Sequence, residues 1–393
     1  MPQENDGSFR FDRMELAGSL GDLGTLLPFG VGIIVLNQML ATNVLVAVGL
    51  FYILAGFYFR VPVAVEPMKV IGAYAIAAGM SPQQVASSGL WMGVLVLFLG
   101  VTGLIGIIRR YTPKSSIRGI QLAVGVVLLI KGLELMMAPD PNLAVQTIGP
   151  VRTGLLLGSA GLVLTLLLLE SKKVPAALVL VAVGISVGVL LGKPLDREAF
   201  AWGFHLPRPL PYGWPAWDDL LWVVPVVVLP QLPMTIGNAI ISNTDLTHEY
   251  FPGKADRVTN RSVSTSQGLA NLASFLLGGI PMCHGAGGGA AHYRFGARTG
   301  GSNLYIGGIF LVLALAFGEN IVSVLRLLPL SILGVLLVFS GLQLALMIQD
   351  LQQRRDLFVA LLMLGLALAF NLAVAFLVGI LAAYVVRSSR IGV

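Results

Sequence analysis

Charge is what this sequence has least of. Lys, Arg, Asp and Glu make up 11% of its 393 residues, against 56% hydrophobic residues. Soluble globular domains carry about 25% charged residues, so this chain cannot cover a water-facing surface of its size. One cysteine, Cys283, excludes a disulfide framework within the chain. No His-Glu-x-x-His run occurs, and the glycines at 285–289 are not followed by Lys-Ser/Thr, so neither a zincin helix nor a nucleotide loop is present. The first twenty residues hold Arg10, Asp12, Arg13 and Glu15 and lack the apolar core of a secretory signal, so no cleaved leader is expected. The net charge of +6 is spread over short loops. It reads as membrane topology, not as a nucleic-acid surface.

What is present is a series of apolar runs. Fourteen segments are predicted, near 19–38, 42–59, 66–80, 88–109, 117–137, 150–169 and 174–191, then 220–243, 261–279, 285–297, 302–318, 327–348, 355–370 and 372–387. The expected fold class is an all-α polytopic membrane protein. The third and tenth segments are too short to span alone. Each follows a proline-containing extended piece, Val61–Val65 and Ile280–His284. The Pro- and Trp-rich stretch 192–219 is expected to be an outer connecting loop between two halves, 1–191 and 220–393.

If both termini face the cytoplasm, most of the 25 Lys and Arg residues fall on the cytoplasmic side, among them Lys172, Lys173, Arg387 and Arg390. Arg152, Lys193, Arg197, Arg208 and Arg326 fall outside, and Lys69 and Lys131 lie within apolar segments. That bias predicts a multi-pass protein of the plasma (inner) membrane with both termini inside. The halves also resemble each other. Val124–Leu133 aligns with Leu333–Leu342, both in the fifth segment of their half. Seven segments per half is odd, so the halves enter the membrane from opposite sides as an inverted repeat. Paired interrupted helices in such a repeat point to a transport site at mid-membrane.

Polar residues inside apolar segments are costly and are functional suspects. They cluster at Gly21–Phe29 with Asp22 and Thr25, at Glu66-Pro67-Met68-Lys69, at Pro230–Asn238 with Gln231, Thr235 and Asn238, and at Pro281–Arg294 with His284, Gly285, Ala286, Gly287 and Gly288. The N-termini of the third and tenth helices would present free N–H groups and positive dipole ends to an anion. Backbone N–H groups at 68–69 and 285–288 and the side chains of Gln231, Thr235 and Asn238 are the expected donors. Those three are spaced i, i+4, i+7 and share one helix face. Each feature has a plainer reading. The glycines could be a packing seam, the polar trio could stitch helices, and Asp22 could cap a helix. Glu66 and Lys69, three apart on one helix, could neutralise each other. Glu66, His284 and Asp22 are the candidates for coupling to protons. No metal site and no cofactor is expected.

These motifs resemble those of the molybdate transporter family, related to the SulP sulfate permeases. The family's Pro-Val-Gln-Pro-Met-Lys type motif reads Ala64-Val65-Glu66-Pro67-Met68-Lys69 here. Its Pro-x-Cys-His-Gly-Ala-Gly-Gly…Tyr-Arg-Phe-Gly-Ala-Arg-Thr-Gly motif reads Pro281–Gly288 and Tyr293–Gly300. Gly21-Asp22-Leu23-Gly24-Thr25 also looks like the family's first-span motif. The resemblance covers the whole chain in layout. It implies a core domain of spans 1–4 and 8–11, a gate domain of spans 5–7 and 12–14, and no regulatory domain of the kind that ends SulP permeases. It further implies high-affinity molybdate uptake by elevator-like alternating access, with the anion between the third and tenth spans. Tungstate and sulfate are possible competitors, the lipid bilayer is the other partner, and a homodimer is possible. Glu66 stands where the family usually has Gln, and His292 where Gln is common. The alternatives are a sulfate, other-anion or nucleobase transporter, and remotely a membrane-embedded hydrolase using His284 or Asp22.

Overall fold

The structure is a computed structural model that describes residues 9–169, 171, 175–193 and 201–386. Lys172, Lys173, Arg197, Arg387 and Arg390, used above to orient the chain, lie outside the described residues. The first half runs α1 (Arg13–Ser19), α2 (Leu23–Leu36), α3 (Ala41–Phe59), β1 (Glu66–Pro67), α4 (Lys69–Ala78), α5 (Pro82–Thr102), α6 (Ile105–Tyr111) and α7 (Lys114–Met137). It continues through β2 (Thr147–Ile148), β3 (Val151–Arg152), α8 (Thr153–Leu168) and α9 (Ala176–Leu191). The second half runs α10 (Trp217–Val223), α11 (Leu229–Met234), α12 (Asn243–Tyr250), α13 (Asn260–Leu276), β4 (Met282–Cys283) and α14 (Ala286–Arg294). It ends with α15 (Gly301–Phe317), α16 (Ile321–Leu325), α17 (Leu330–Ala345), α18 (Arg354–Ala369) and α19 (Leu372–Val386).

Helix forms in every expected apolar segment, but the lengths differ. Among the described residues, six helices are long and apolar enough to cross a membrane, or seven if α1 and α2, bent by 45° at their junction, count as one span. The apolar helices α4, α8, α9 and α19 are shorter. Sixteen residues make only about 24 Å of helix, less than a ~30 Å hydrocarbon core. The fourth segment breaks at Gly103, whose φ of +74° ends α5. The eighth is longer than expected, one continuous helix from Trp217 to Tyr250. Pro225, Pro230 and Pro233 lack N–H donors, so the i→i−4 ladder cannot hold throughout. The helix answers with π turns at Val224–Val228 and Thr235–Ser242.

The extended pieces before α4 and α14 meet each other. Glu66 pairs with Cys283 and Pro67 with Met282 in an antiparallel two-stranded sheet. Pro67 therefore lies in strand, not in the first helical turn as its sequence context suggests. A residue before proline is pushed from the α region, and here the ladder takes up Glu66 as well. The described part of the connecting loop is strapped to helix ends. His205 N–H donates to Leu315 O, and Tyr212 Oη accepts from Leu40 N–H.

The most extensive helix pairings are α7 with α17, α5 with α13 and α3 with α15. Exchanging halves turns the second of these pairings into the third and leaves the first unchanged. Glycines allow the α7–α17 crossing. A Cβ on Gly125 would lie 2.5 Å from Gly341 O, and one on Gly132 2.5 Å from Gly334 O. Three acids serve as caps across this frame. Glu319 accepts from Ala41 and Thr42 N–H, Asp140 from Leu330 N–H, and Glu15 from Arg298 and Thr299 N–H.

Candidate functional site

Two buried acids are not used in this way. Asp22 and Glu66 are both almost fully buried and accept no backbone N–H. Tyr52 Oη donates to Asp22 Oδ2 at 2.5 Å, and Lys69 Nζ lies 3.0 Å from Glu66 Oε2. The other oxygens, Asp22 Oδ1 and Glu66 Oε1, have no hydrogen-bond partner. Both point at Gly288, where a Cβ would lie 2.4 Å from the first and 2.6 Å from the second. A Cβ on Gly285 would lie 1.9 Å from Glu66 Oε2. Glycine at 285 and 288 thus lets two carboxylates press against the first turn of α14. A helix N-terminus favours negative charge there.

The two short helices start differently. The first turn of α4 is capped from the eighth span, since Gln231 Oε1 accepts from Val70 N–H at 2.9 Å. Met68 N–H is spent on Pro281 O. No side chain caps α14. Ala286, Gly287 and Gly288 leave its first N–H groups bare, and Gly287 is exposed while its neighbours are buried. Of the two helix N-termini, the uncapped one therefore belongs to α14.

In front of that end lies a cavity of about 180 Å³. Thr25, Phe29, Lys69, Met234, Asn238 and Gly287 line one side. Gln121 from α7 and Ser340, Gln343 and Leu344 from α17, with Met347, line the other. Among the described residues, Lys69 is the only charged one in this lining, and Thr25, Asn238, Gln121, Ser340 and Gln343 add neutral donors. The volume is below the ~300 Å³ of drug-sized sites. It suits a small polyatomic ion that accepts hydrogen bonds all round.

The comparisons with known proteins agree with this chemistry. A family profile described as "Molybdate transporter of MFS superfamily" matches residues 14–128 and 224–344. The chain belongs to the molybdate transporter family. It is a membrane transporter and not an enzyme. It is 29% identical to Molybdate transporter 2 of Arabidopsis thaliana, over 88% of this chain and 81% of that protein. It is equally 29% identical to Molybdate transporter 1 of Chlamydomonas reinhardtii, over 93% of this chain and 90% of the other. In fold it is similar to the transmembrane domain of the cyanobacterial bicarbonate transporter BicA, at a TM-score of 0.67 and 18% identity, covering 95% of this chain and 98% of that one. Every cavity residue except Met347 falls within the two family-matched segments.

Within this molybdate-transporter-family chain, the residues singled out in the sequence do not all meet the cavity. Thr25, Lys69, Asn238 and Gly287 do. Gln231 and Thr235, expected as donors to the cargo, are spent on the protein. Gln231 holds α4 through its carbonyl and donates to Thr235 Oγ1 at 2.9 Å through its amide. The π turn starting at Thr235 changes the helical period, so Asn238 alone of the trio reaches the cavity. His284 sits behind the site. Its Nδ1 is 2.8 Å from Ala64 O, its Nε2 is 3.0 Å from Ser266 Oγ, and Phe51 and Phe59 pack on its ring. Glu66, Pro67, Met68, Gly285, Ala286 and Gly288 form the wall behind the lining, and Asp22 stands with them. His292 is wholly buried, with Nε2 4.0 Å from Asp22 Oδ2 and no hydrogen bond to either ring nitrogen.

Gln121, Ser340 and Gln343 were missed by sequence reasoning, although each is a polar residue in an otherwise apolar run, which is the signal that identified the others. The hydrolase alternative fails with the family match. A Gly-x-Ser-x-Gly spacing does occur at Gly184–Gly188, but Ser186 lies within α9 and donates to Ala182 O, and no acid or histidine bonds to it among the described residues.

Proposed function

We propose that this protein takes up molybdate by alternating access, seating the anion between Lys69, Thr25, Asn238 and the α14 N-terminus on one side and Gln121, Ser340 and Gln343 on the other. The observation that carries this reading is the cavity itself, with one ammonium, one uncapped helix end and a ring of neutral donors. A tetrahedral dianion offers acceptors only and needs such a lining. The two sides of the cavity belong to the expected core (spans 1–4 and 8–11) and gate (spans 5–7 and 12–14). Relative motion of these bodies would expose the anion to each side in turn. The reciprocal glycine contacts and the antiparallel β1–β4 pair support a seven-plus-seven inverted repeat of fourteen segments. The bias of Lys and Arg supports both termini on the cytoplasmic face of the plasma (inner) membrane.

Charge balance supports proton coupling. Asp22 and Glu66 stand against a single cation, Lys69, and a dianion entering beside them adds two further negative charges. A proton taken up by the Asp22–Glu66 pair along with the anion relieves that repulsion. Glu66 does not line the cavity, so a nucleobase cargo would lack the carboxylate its N–H groups need.

Calorimetry of the purified protein with molybdate, tungstate and sulfate at two pH values tests the reading. Tight molybdate and tungstate binding, weak sulfate binding and stronger binding at the lower pH are expected. Absence of binding for all three oxyanions would overturn it.

A further inference from the structure

The elements that build the cavity also build a second basic pocket at their other ends. α12 continues the helix that carries Asn238 and ends at Tyr250, while Tyr293 lies near the end of α14. The two rings stack with centroids 4.2 Å apart and planes 12° from parallel. The Arg298 guanidinium sits 3.9 Å over the Tyr293 ring. Phe251 meets Tyr293 edge-on. These contacts make a firm wall for a cavity of about 540 Å³, lined also by Arg10, Pro252 and Lys254.

The charge in this pocket is one-sided. Among the described residues, three cations line it and no carboxylate does. Arg10 pairs with Asp12, which is held below the ordinary carboxylate range by the Glu15 N–H and the Arg10 guanidinium. Asp12 takes Nε and Nη2 of Arg10 and leaves Nη1. Arg298 spends Nη1 on the carbonyls of Tyr293 and Ala297, leaving its other donors. The Lys254 ammonium has no hydrogen bond or ion pair among the described residues. Clustered guanidinium and ammonium donors beside tyrosine hydroxyls are the complement of a phosphate group. The volume falls in the range of small-molecule sites, so there is room for an organic body attached to it.

We propose that Arg10, Lys254 and Arg298 form a second anion site, distinct from the transport cavity, for a phosphate-class dianion. The site does not rest on molybdate being the cargo. Its occupant ties the segment before α1 to the far ends of the two elements that face the transported ion.

The test is calorimetric titration of inorganic phosphate into detergent-solubilised protein. The variants are Lys254→Gln, Arg298→Gln and Lys69→Met. Saturable phosphate binding is expected, about tenfold weaker in Lys254→Gln and in Arg298→Gln, and unchanged in Lys69→Met. The Lys254 side chain makes no hydrogen bond or ion pair among the described residues, so its variant remains informative if Arg298→Gln unfolds. No phosphate binding in any lipid environment would overturn the proposal, as would binding indifferent to Lys254→Gln. Binding lost in Lys69→Met would place phosphate in the transport cavity and overturn it equally. Binding seen only in nanodiscs containing phosphatidic acid, and still sensitive to Lys254→Gln, would uphold the site and identify a lipid headgroup as its source.

Discussion

Lys69 reaches back across the turn from β1 to α4 and places its Nζ 3.0 Å from Oε2 of Glu66. The spacing of three suggests a pair on one helix, but Glu66 lies in the strand and Lys69 is the first residue of the helix. The geometry separates their roles. Lys69 faces the cavity, whereas Glu66 is fully buried behind it. The carboxylate thus holds the ammonium in place, and in the proposed mode of binding it also competes with the cargo for it.

Glu66→Gln tests that competition, and it restores the glutamine of the family motif that this stretch resembles. The amide keeps the shape and removes the charge. Molybdate affinity near neutral pH is expected to rise, on the order of tenfold, or about 1.4 kcal/mol. Uptake by the wild-type protein should increase as the outer pH falls, and the variant should lose most of that dependence. Radiolabelled or mass-spectrometric uptake in proteoliposomes across a pH series checks both. An unchanged pH profile would move the proton from the pair to another group.

Lys69→Met removes the only cation of the cavity while keeping much of the side chain's bulk. A charge-assisted hydrogen bond contributes about 1.5–3 kcal/mol, so the molybdate Kd is expected to rise roughly 10- to 100-fold. Titration of the purified variant gives the number. An unaltered Kd would leave the α14 N-terminus as the sole anion anchor.

Two neighbouring glycines should respond in opposite ways. A Cβ at Gly287 meets only Lys69 Nζ, at 3.9 Å, but it projects into the cavity. Gly287→Ala is expected to keep or raise thermal stability, since alanine favours helix by up to ~1 kcal/mol, while weakening molybdate binding. A Cβ at Gly288 runs into Asp22, Ala64 and Glu66. Gly288→Ala is expected to cost about 1–3 kcal/mol by overpacking and to abolish uptake. Thermal unfolding and binding measured on the same preparations separate the two outcomes.

Much of this site could be read from the sequence because it depends on local breaks. Pro62 and Pro281, followed by short apolar runs, marked the two half-helices, and Glu66, Lys69 and Gly285–Gly288 followed from them. What could not be read was which polar group faces which neighbour. His284 is satisfied by Ser266 and Ala64, one on another helix and the other in the first half. Gln231 and Thr235 share a face, as their spacing implies, but that face turns to α4 because π turns interrupt the helix. Gln121 and Gln343 stand on α7 and α17, whose pairing across the two halves sets their aim. Register between distant helices is a property of packing, not of spacing along the chain.

The relation between the halves can be tested in the glycines of α7 and α17. Gly125 and Gly334 hold matching places in the two similar ten-residue runs. A Cβ on Gly125 would lie 2.5 Å from Gly341 O, and one on Gly334 2.4 Å from Gly132 O. If a two-fold relates the halves, Gly125→Ala and Gly334→Ala are one lesion made twice. Each is expected to destabilise the protein by about 1–3 kcal/mol through overpacking. They disturb different crossing points, so the double variant should lose close to the sum. Gly365→Ala, where a Cβ meets nothing within 4 Å, is the reference and should not lower the unfolding midpoint. Scanning fluorimetry in detergent measures all four variants. Losses at both 125 and 334 are what an inverted repeat leads one to expect. A loss at one position alone would reduce the match to two Leu- and Gly-rich helices that happen to align, and the seven-plus-seven reading would lose its closest support.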